Sequence, residues 1–157
     1  MVFYPMNQPL SRSDLEARQH WMAVLSRASV ADLNALVSKA GSLPPYQLLK
    51  APLTGTIMIE ARAGGTGQRF NAGEATMTRC VVLLETGQMG FSYALGRDTE
   101  KAEKAAVIEA LLQQDTSDGA WRIGIRELAS RQAEAKHLSS RKAATTKVDF
   151  FTLVRGE

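Results

Sequence analysis

The chain is predicted to fold as an α+β domain, with a largely antiparallel sheet, packed helices and an N-terminal helical hairpin. Three observations lead there. Apolar residues recur with a period near 3.6 at the start of the chain and near 2 after Pro44-Pro45. The strand-like segments cluster in the middle and carry hairpin signals, which favours antiparallel pairing. A length of 157 residues suits one domain, burying roughly 68–70% of its unfolded surface.

Residues 1–12 read as a loose arm, because Pro5 and Pro9 discourage regular structure. Ser13-Asp14-Leu15-Glu16 has capping-box spacing, and Leu15, Met22 and Leu25 then recur at helical intervals to about Ala28. Ser29 to Asp32 repeats the start signal, Val30, Leu33, Val37 and Ala40 form a second stripe, and Gly41 ends it. The two helices, residues 13–41, make a hairpin. Its short linker would allow exchange between two protomers.

The rest of the domain is an α/β core, residues 46–157. In it, residues 56–62 alternate, with Ile57, Ile59 and Ala61 on one face. Residues 75–85 form a strand, Thr86-Gly87-Gln88 a hairpin turn, and residues 89–95 the partner strand. Asp98 caps a helix over 99–114, rich in Ala, Glu, Lys and Leu. Ser117-Asp118-Gly119 is a turn. Trp121, Ile123 and Ile125 alternate with Arg122, Gly124 and Arg126, which predicts a short strand. Residues 128–144 are helical, and 148–154 form a final apolar strand containing Asp149. The order is roughly ααββββαβαβ.

Composition excludes several classes. Hydrophobic residues at 45% and charged residues at 22% are globular values, not those of a disordered chain. The net charge is only +3. The basic residues between 118 and 147 scatter around a helical wheel, so a solvated helix is expected there, and no nucleic-acid partner. Cys80 is the one cysteine; it excludes an intrachain disulfide and fits a reducing compartment. It lies in the apolar run from Cys80 to Leu84, where a buried small hydrophobe is its default role. Such runs fall far short of the ~20 residues a membrane helix needs. The N-terminus has no basic leader region. A soluble, cytoplasmic protein is expected. His20 and His137 have no second ligand at metal spacing, and no Ser/His/Asp or Cys/His set stands out. No catalytic residue and no metal are assigned.

The stretch Arg62 to Arg79 is the densest in chemistry: four glycines, three arginines and one acid in eighteen residues. Gly64, Gly65 and Gly67 admit two readings, a nest of backbone N–H groups for phosphate or a tight hairpin between strands. No Lys-Ser/Thr follows and the next segment is a strand, so the stretch is neither a P-loop nor a dinucleotide fingerprint. Arg62, Arg69 and Arg79 flank the glycines; either Arg62 and Arg69 converge on one anion from adjoining strands, or the arginines pair with Glu60, Glu74 and Glu85 or face solvent. Glu74 is either a positioned acid or an ion-pair partner. These seven residues, Arg62, Gly64, Gly65, Gly67, Arg69, Glu74 and Arg79, are the candidate anion- or partner-binding set.

Four blocks resemble the PhnG family, the small subunit of the bacterial carbon–phosphorus lyase system for phosphonate use. They are Arg18-Gln19-His20-Trp21-Met22-Ala23-Val24-Leu25, then Gly64 through Arg79, then Gly96-Arg97-Asp98, and finally Val148 through Gly156. They occur in the same order and span nearly the whole chain; residues 115–145 carry no block. The resemblance implies a subunit of a complex with PhnH-, PhnI-, PhnJ- and PhnL-type proteins, homo-oligomeric within it. It implies a reaction in which methylphosphonate displaces adenine from ATP to give ribose 1-methylphosphonate 5-triphosphate. It assigns the nucleosidase chemistry to PhnI and the radical carbon–phosphorus cleavage to PhnJ. ATP and phosphonate are then substrates of the complex, and this chain alone holds no cofactor and no complete active site. An anion-binding module for a phosphorylated small molecule is the alternative.

Overall fold

The computed structural model describes residues 11–145. The elements run α1 (Arg12–Arg27), α2 (Val30–Ala40), β1 (Tyr46–Arg62), β2 (Arg69–Leu84), β3 (Met89–Leu95), α3 (Thr99–Gln114) and α4 (Ala120–Thr145). The sheet is antiparallel in the order β1-β2-β3. The α+β class and the N-terminal helical pair are as the periodicity predicts. The strand expected over 148–154, with Asp149, lies outside the described residues.

Local chemistry explains most boundaries. The cap of α1 is Ser11 rather than Ser13, its hydroxyl accepting from the Asp14 N–H at 3.2 Å. Ser11 and Arg12 therefore belong to the helix start and not to a loose arm. Ser29 and Asp32 form the predicted capping box of α2. Asp98 caps α3 by accepting from the Lys101 N–H at 2.9 Å.

The predicted strand at 121–126 is helix instead. Trp121, Ile125 and Leu128 fall on one helical face, with Ile125 and Leu128 buried, while Ile123 is largely exposed. The alternation was local coincidence. Tertiary packing decides the state, since Gly124 lies against the Leu36 side chain of α2, where a Cβ would overlap it.

Helix α3 is the centre of the molecule. On one side, Ala102, Ala106 and Ala110 let it lie close on the sheet against Cys80, Val82, Leu84 and Ala94. On the other, Ala105, Ile108 and Leu112 meet Trp21, Val24, Leu25, Leu33 and Leu36 of α1 and α2, and Ile125 and Leu128 of α4. From Ala105 to Leu112 the helix is apolar at every position but Glu109, as befits a segment buried on both faces. The helical pair α1–α2 thus packs on its own chain.

The sheet is uneven. Strand β3 pairs β2 only from Met77↔Leu95 to Leu83↔Met89. Strand β1 follows β2 much further, to Arg62↔Arg69. From Thr56↔Thr76 outward, two strands continue alone as a ribbon about 20 Å long. The sequence showed residues 56–62 and 75–85 of these strands and missed 46–55 and 69–74. Register shifts at Leu48/Lys50 and Lys50/Leu53 break the period of the first. The second lies in the outer ribbon, where β2 buries no face and keeps no apolar alternation.

Candidate functional site

The ribbon carries nearly all of the residues singled out in the sequence. At its end, Ala63–Gly65 makes a single helical turn. Gly64 and Gly65 have φ of 60° and 83°, a region glycine enters freely. The Gly67 N–H donates to the Ala63 carbonyl at 2.7 Å, and a Cβ on Gly67 would sit 2.6 Å from that oxygen. The glycines therefore have a sufficient structural role, that of closing a tight hairpin.

Arg62 and Arg69 are directly paired in register at the base of this turn. The Arg69 guanidinium meets the Glu60 carboxylate at 3.1 Å, with both side chains more than half exposed. Such a pair is worth about 0–1 kcal/mol. Arg62 has no carboxylate partner among the described residues. Glu74 stands opposite Met58 in the middle of the ribbon. Arg79 lies ten residues from Arg69 in the same strand, about 30 Å away, opposite Leu53 and Tyr93. It lines a shallow hollow of ≈360 Å³ with Lys50, Leu53, Phe91 and Tyr93. The structure brings Arg62, Arg69 and the glycines together and leaves Glu74 and Arg79 apart from them.

Electrostatics limit what the tip does alone. All its residues are exposed, and in water a charge pair at 4 Å gains only about 1 kcal/mol. Two guanidiniums grip an anion firmly only when another surface excludes water. The ribbon has apolar side chains to meet such a surface: Met58 and Phe70 are 58% and 50% exposed, and Ile57 and Ile59 are also open. Ile57 and Ile59 share one face and Met58 lies on the other, and apolar side chains left open along an arm suit an interaction site.

One polar cluster escaped the sequence reading. Glu109 of α3 is fully buried. It accepts from Arg18 Nε at 2.8 Å, Trp21 Nε1 at 3.5 Å, the Phe91 N–H at 2.9 Å and Gln113 Nε2 at 2.8 Å. Arg18 also lies over the Phe91 ring at 5.6 Å. Every lone pair is used, so the cluster ties α1, β3 and α3 together and presents no free group for chemistry. Its signal was an acid inside the apolar run from Ala105 to Leu112. Cys80 is buried as expected, and burial pushes its thiol up to about 11, away from thiolate chemistry. Among the described residues no cluster of His, Cys, Asp and Glu has metal-site spacing. None of their helices is long and apolar enough to cross a membrane.

A family model described as phosphonate metabolism protein PhnG matches residues 16–156. The chain belongs to the PhnG family. It is 34% identical over 140 residues to the alpha-D-ribose 1-methylphosphonate 5-triphosphate synthase subunit PhnG of Rhizobium meliloti (strain 1021), covering 89% of this chain and 90% of that protein. Membership in PhnG gives the blocks of the resemblance separate physical meanings. Arg18 and Trp21 serve the buried Glu109 cluster. Gly64 through Arg79 build the ribbon. Gly96 offers its carbonyl to Thr78 at 2.8 Å and Asp98 caps α3. The last block lies outside the described residues.

Proposed function

We propose that this chain is a non-autonomous subunit of a ribose 1-methylphosphonate 5-triphosphate synthase in the carbon–phosphorus lyase system. The observation that carries the reading is the ribbon: a two-stranded arm with open apolar side chains and an arginine pair at its end, in a PhnG-family chain whose Glu109 cluster is buried and satisfied. An isolated two-stranded hairpin is marginal in water, so an arm this long is best supported by a surface of another subunit. The curated relative is named a synthase subunit, which agrees with that need.

The reaction follows from the named product. ATP carries adenine at C1′ of its ribose and a triphosphate at the 5′ position. Attack of a methylphosphonate oxygen at C1′ breaks the glycosidic C–N bond, adenine leaves with a proton, and the triphosphate is retained. Both substrates are anions. In this reading the ribbon docks through Ile57, Met58, Ile59 and Phe70. Arg62 and Arg69 then meet the triphosphate or the phosphonate once a partner excludes water from the tip, with the backbone N–H groups of Gly64 and Gly65 beside them and Gly67 closing the turn. Glu74 contacts the partner protein along the arm, and Arg79 contacts it on the three-stranded part of the sheet, inward of the arm. The partners are PhnH-, PhnI-, PhnJ- and PhnL-type subunits, with more than one copy of this chain in a cytoplasmic complex, and no metal or cofactor is held by this chain alone. Light scattering of the assembled complex reads the copy number.

The test is reconstitution. Partner subunits mixed with this chain should release adenine from ATP only when methylphosphonate is present. Full activity with the chain left out would overturn the subunit reading. The rival, a free-standing anion-binding module at the ribbon tip, predicts heat on titrating the isolated chain with ATP or methylphosphonate that Arg62→Gln and Arg69→Gln abolish; silence at millimolar ligand, or heat unchanged in those variants, dismisses it.

A further inference from the structure

A second cationic site lies at the other end of the molecule, between α1 and α4. A cavity of ≈270 Å³ is lined by Ala17, His20, Trp21, Leu112, Arg122, Ile125 and Arg126, with Ser117 at its edge. Its floor is apolar, and its rim carries two guanidiniums and an imidazole. Arg122 and Arg126 are four residues apart on one helix face, so their side chains are neighbours.

The rim groups are held in place but not neutralised. The Arg122 guanidinium lies over the Trp21 ring at 5.1 Å, and its Nε donates to the Leu112 carbonyl at 3.3 Å. Arg126 donates one terminal N–H to the Ser117 carbonyl at 3.1 Å. Among the described residues no carboxylate pairs with Arg122, Arg126 or His20. The nearby Asp115 carboxylate is occupied by the backbone N–H groups of Thr116 and Arg122, each at 3.0 Å. Both guanidiniums keep unused donors above an apolar floor.

We propose that this cavity binds a small molecule bearing a –PO₃²⁻ group on a compact apolar body, either an organophosphonate or a phosphate monoester. A planar guanidinium pair with an imidazole matches a dianion with three oxygens better than a single carboxylate. The volume selects a compact body, since about 150 Å³ holds a benzene ring. Ala17, Leu112 and Ile125 give that body an apolar seat. The site does not depend on the ribbon or on assembly, so it stands or falls separately from the subunit reading.

Calorimetry of the full chain at fixed ionic strength tests it, with phenylphosphonate, phenyl phosphate and inorganic phosphate as probes. At least one aryl probe binds one to one and about tenfold tighter than inorganic phosphate, which lacks the apolar part. Preference between the two aryl probes identifies the source, phosphonate or ester. The exposed-rim variants Arg126→Gln and His20→Gln each weaken binding, Arg126→Gln by about tenfold or more, the scale of one charge-assisted hydrogen bond. Arg126→Lys recovers part of the loss. The proposal is overturned if neither aryl probe saturates at 10 mM (roughly the weakest binding of use, at about −3 kcal/mol). It is equally overturned if both Gln variants bind as the parent does. Loss of partner association in Arg126→Gln without any probe binding would instead give the cavity to an acidic side chain of another protein.

Discussion

The helical body and the ribbon are built from the same chain on opposite principles. In the body, α3 is buried on both faces and even its acid, Glu109, has a full set of donors. In the ribbon, apolar side chains stand open, and the described ion pair is an exposed one between Arg69 and Glu60. The body spends its side chains on itself. The ribbon leaves them for something else. The difference teaches where to look for function: a satisfied network is a structural device, whereas unspent apolar area and an unpaired arginine at the end of an arm call for a second surface.

The comparison breaks most visibly at Glu109. Glu109→Ala takes the acceptor from Arg18, Trp21 Nε1 and the Phe91 N–H, and removing one partner of a buried charged pair costs about 3–5 kcal/mol. Urea unfolding should show that loss; a cost under 1 kcal/mol would mean the body is not organised around this carboxylate. Next comes Gly90→Ala. Gly90 of β3 faces α3, where a Cβ would overlap the Ala106 carbonyl oxygen and press on Ala110. Overpacking of this kind costs about 1–3 kcal/mol, read as a lower urea midpoint.

Alkaline pH acts on the body as well. Tyr46 donates to Glu103 at 2.6 Å, and that bond, with burial, pushes its hydroxyl up to about 12. Burial does the same to Cys80, up to about 11. Both groups hold their protons more tightly when folded. Their contribution is complete below the ordinary values of 9.0 for Cys80 and 10.0 for Tyr46. It is lost as pH rises through about 11 and then about 12. Unfolding free energy should therefore fall steadily above pH 9.0, and Tyr46→Phe should flatten the upper part of that fall. An unchanged slope in Tyr46→Phe would place the alkaline loss elsewhere.

The smallest stability effect belongs to the ribbon. Ile59→Ser, at an open position, should move the isolated chain by no more than about 0.5 kcal/mol, yet weaken association with partner subunits. A change above 1.5 kcal/mol, roughly the cost of burying such a side chain, would show that the ribbon is packed in the free protein.

Legibility in the sequence followed the same division. Where an element buries a stripe or carries a cap, as α2 does with Ser29 and Asp32 or α3 with Asp98, its limits were plain. Three features were hidden. The helix at 121–126 was masked by a chance alternation that only contact with Leu36 resolves. The β2 half of the ribbon, residues 69–74, left no periodic trace, because neither face is covered. The role of Arg18 and Trp21 needed Glu109, ninety-one and eighty-eight residues away. At the candidate site, the glycine–arginine density pointed to the tip, but Arg79 lay too far along the strand for one anion to gather all three arginines.

The most direct test of the account removes the arm and keeps the body. Replacing residues 57–75 by Asn-Gly joins Thr56 to Thr76, which already face each other, through a two-residue hairpin. The account predicts an unfolding free energy within about 1 kcal/mol of the parent, with co-elution with partner subunits and phosphonate-dependent adenine release both abolished. A well-folded variant that still co-elutes and supports full adenine release would contradict it.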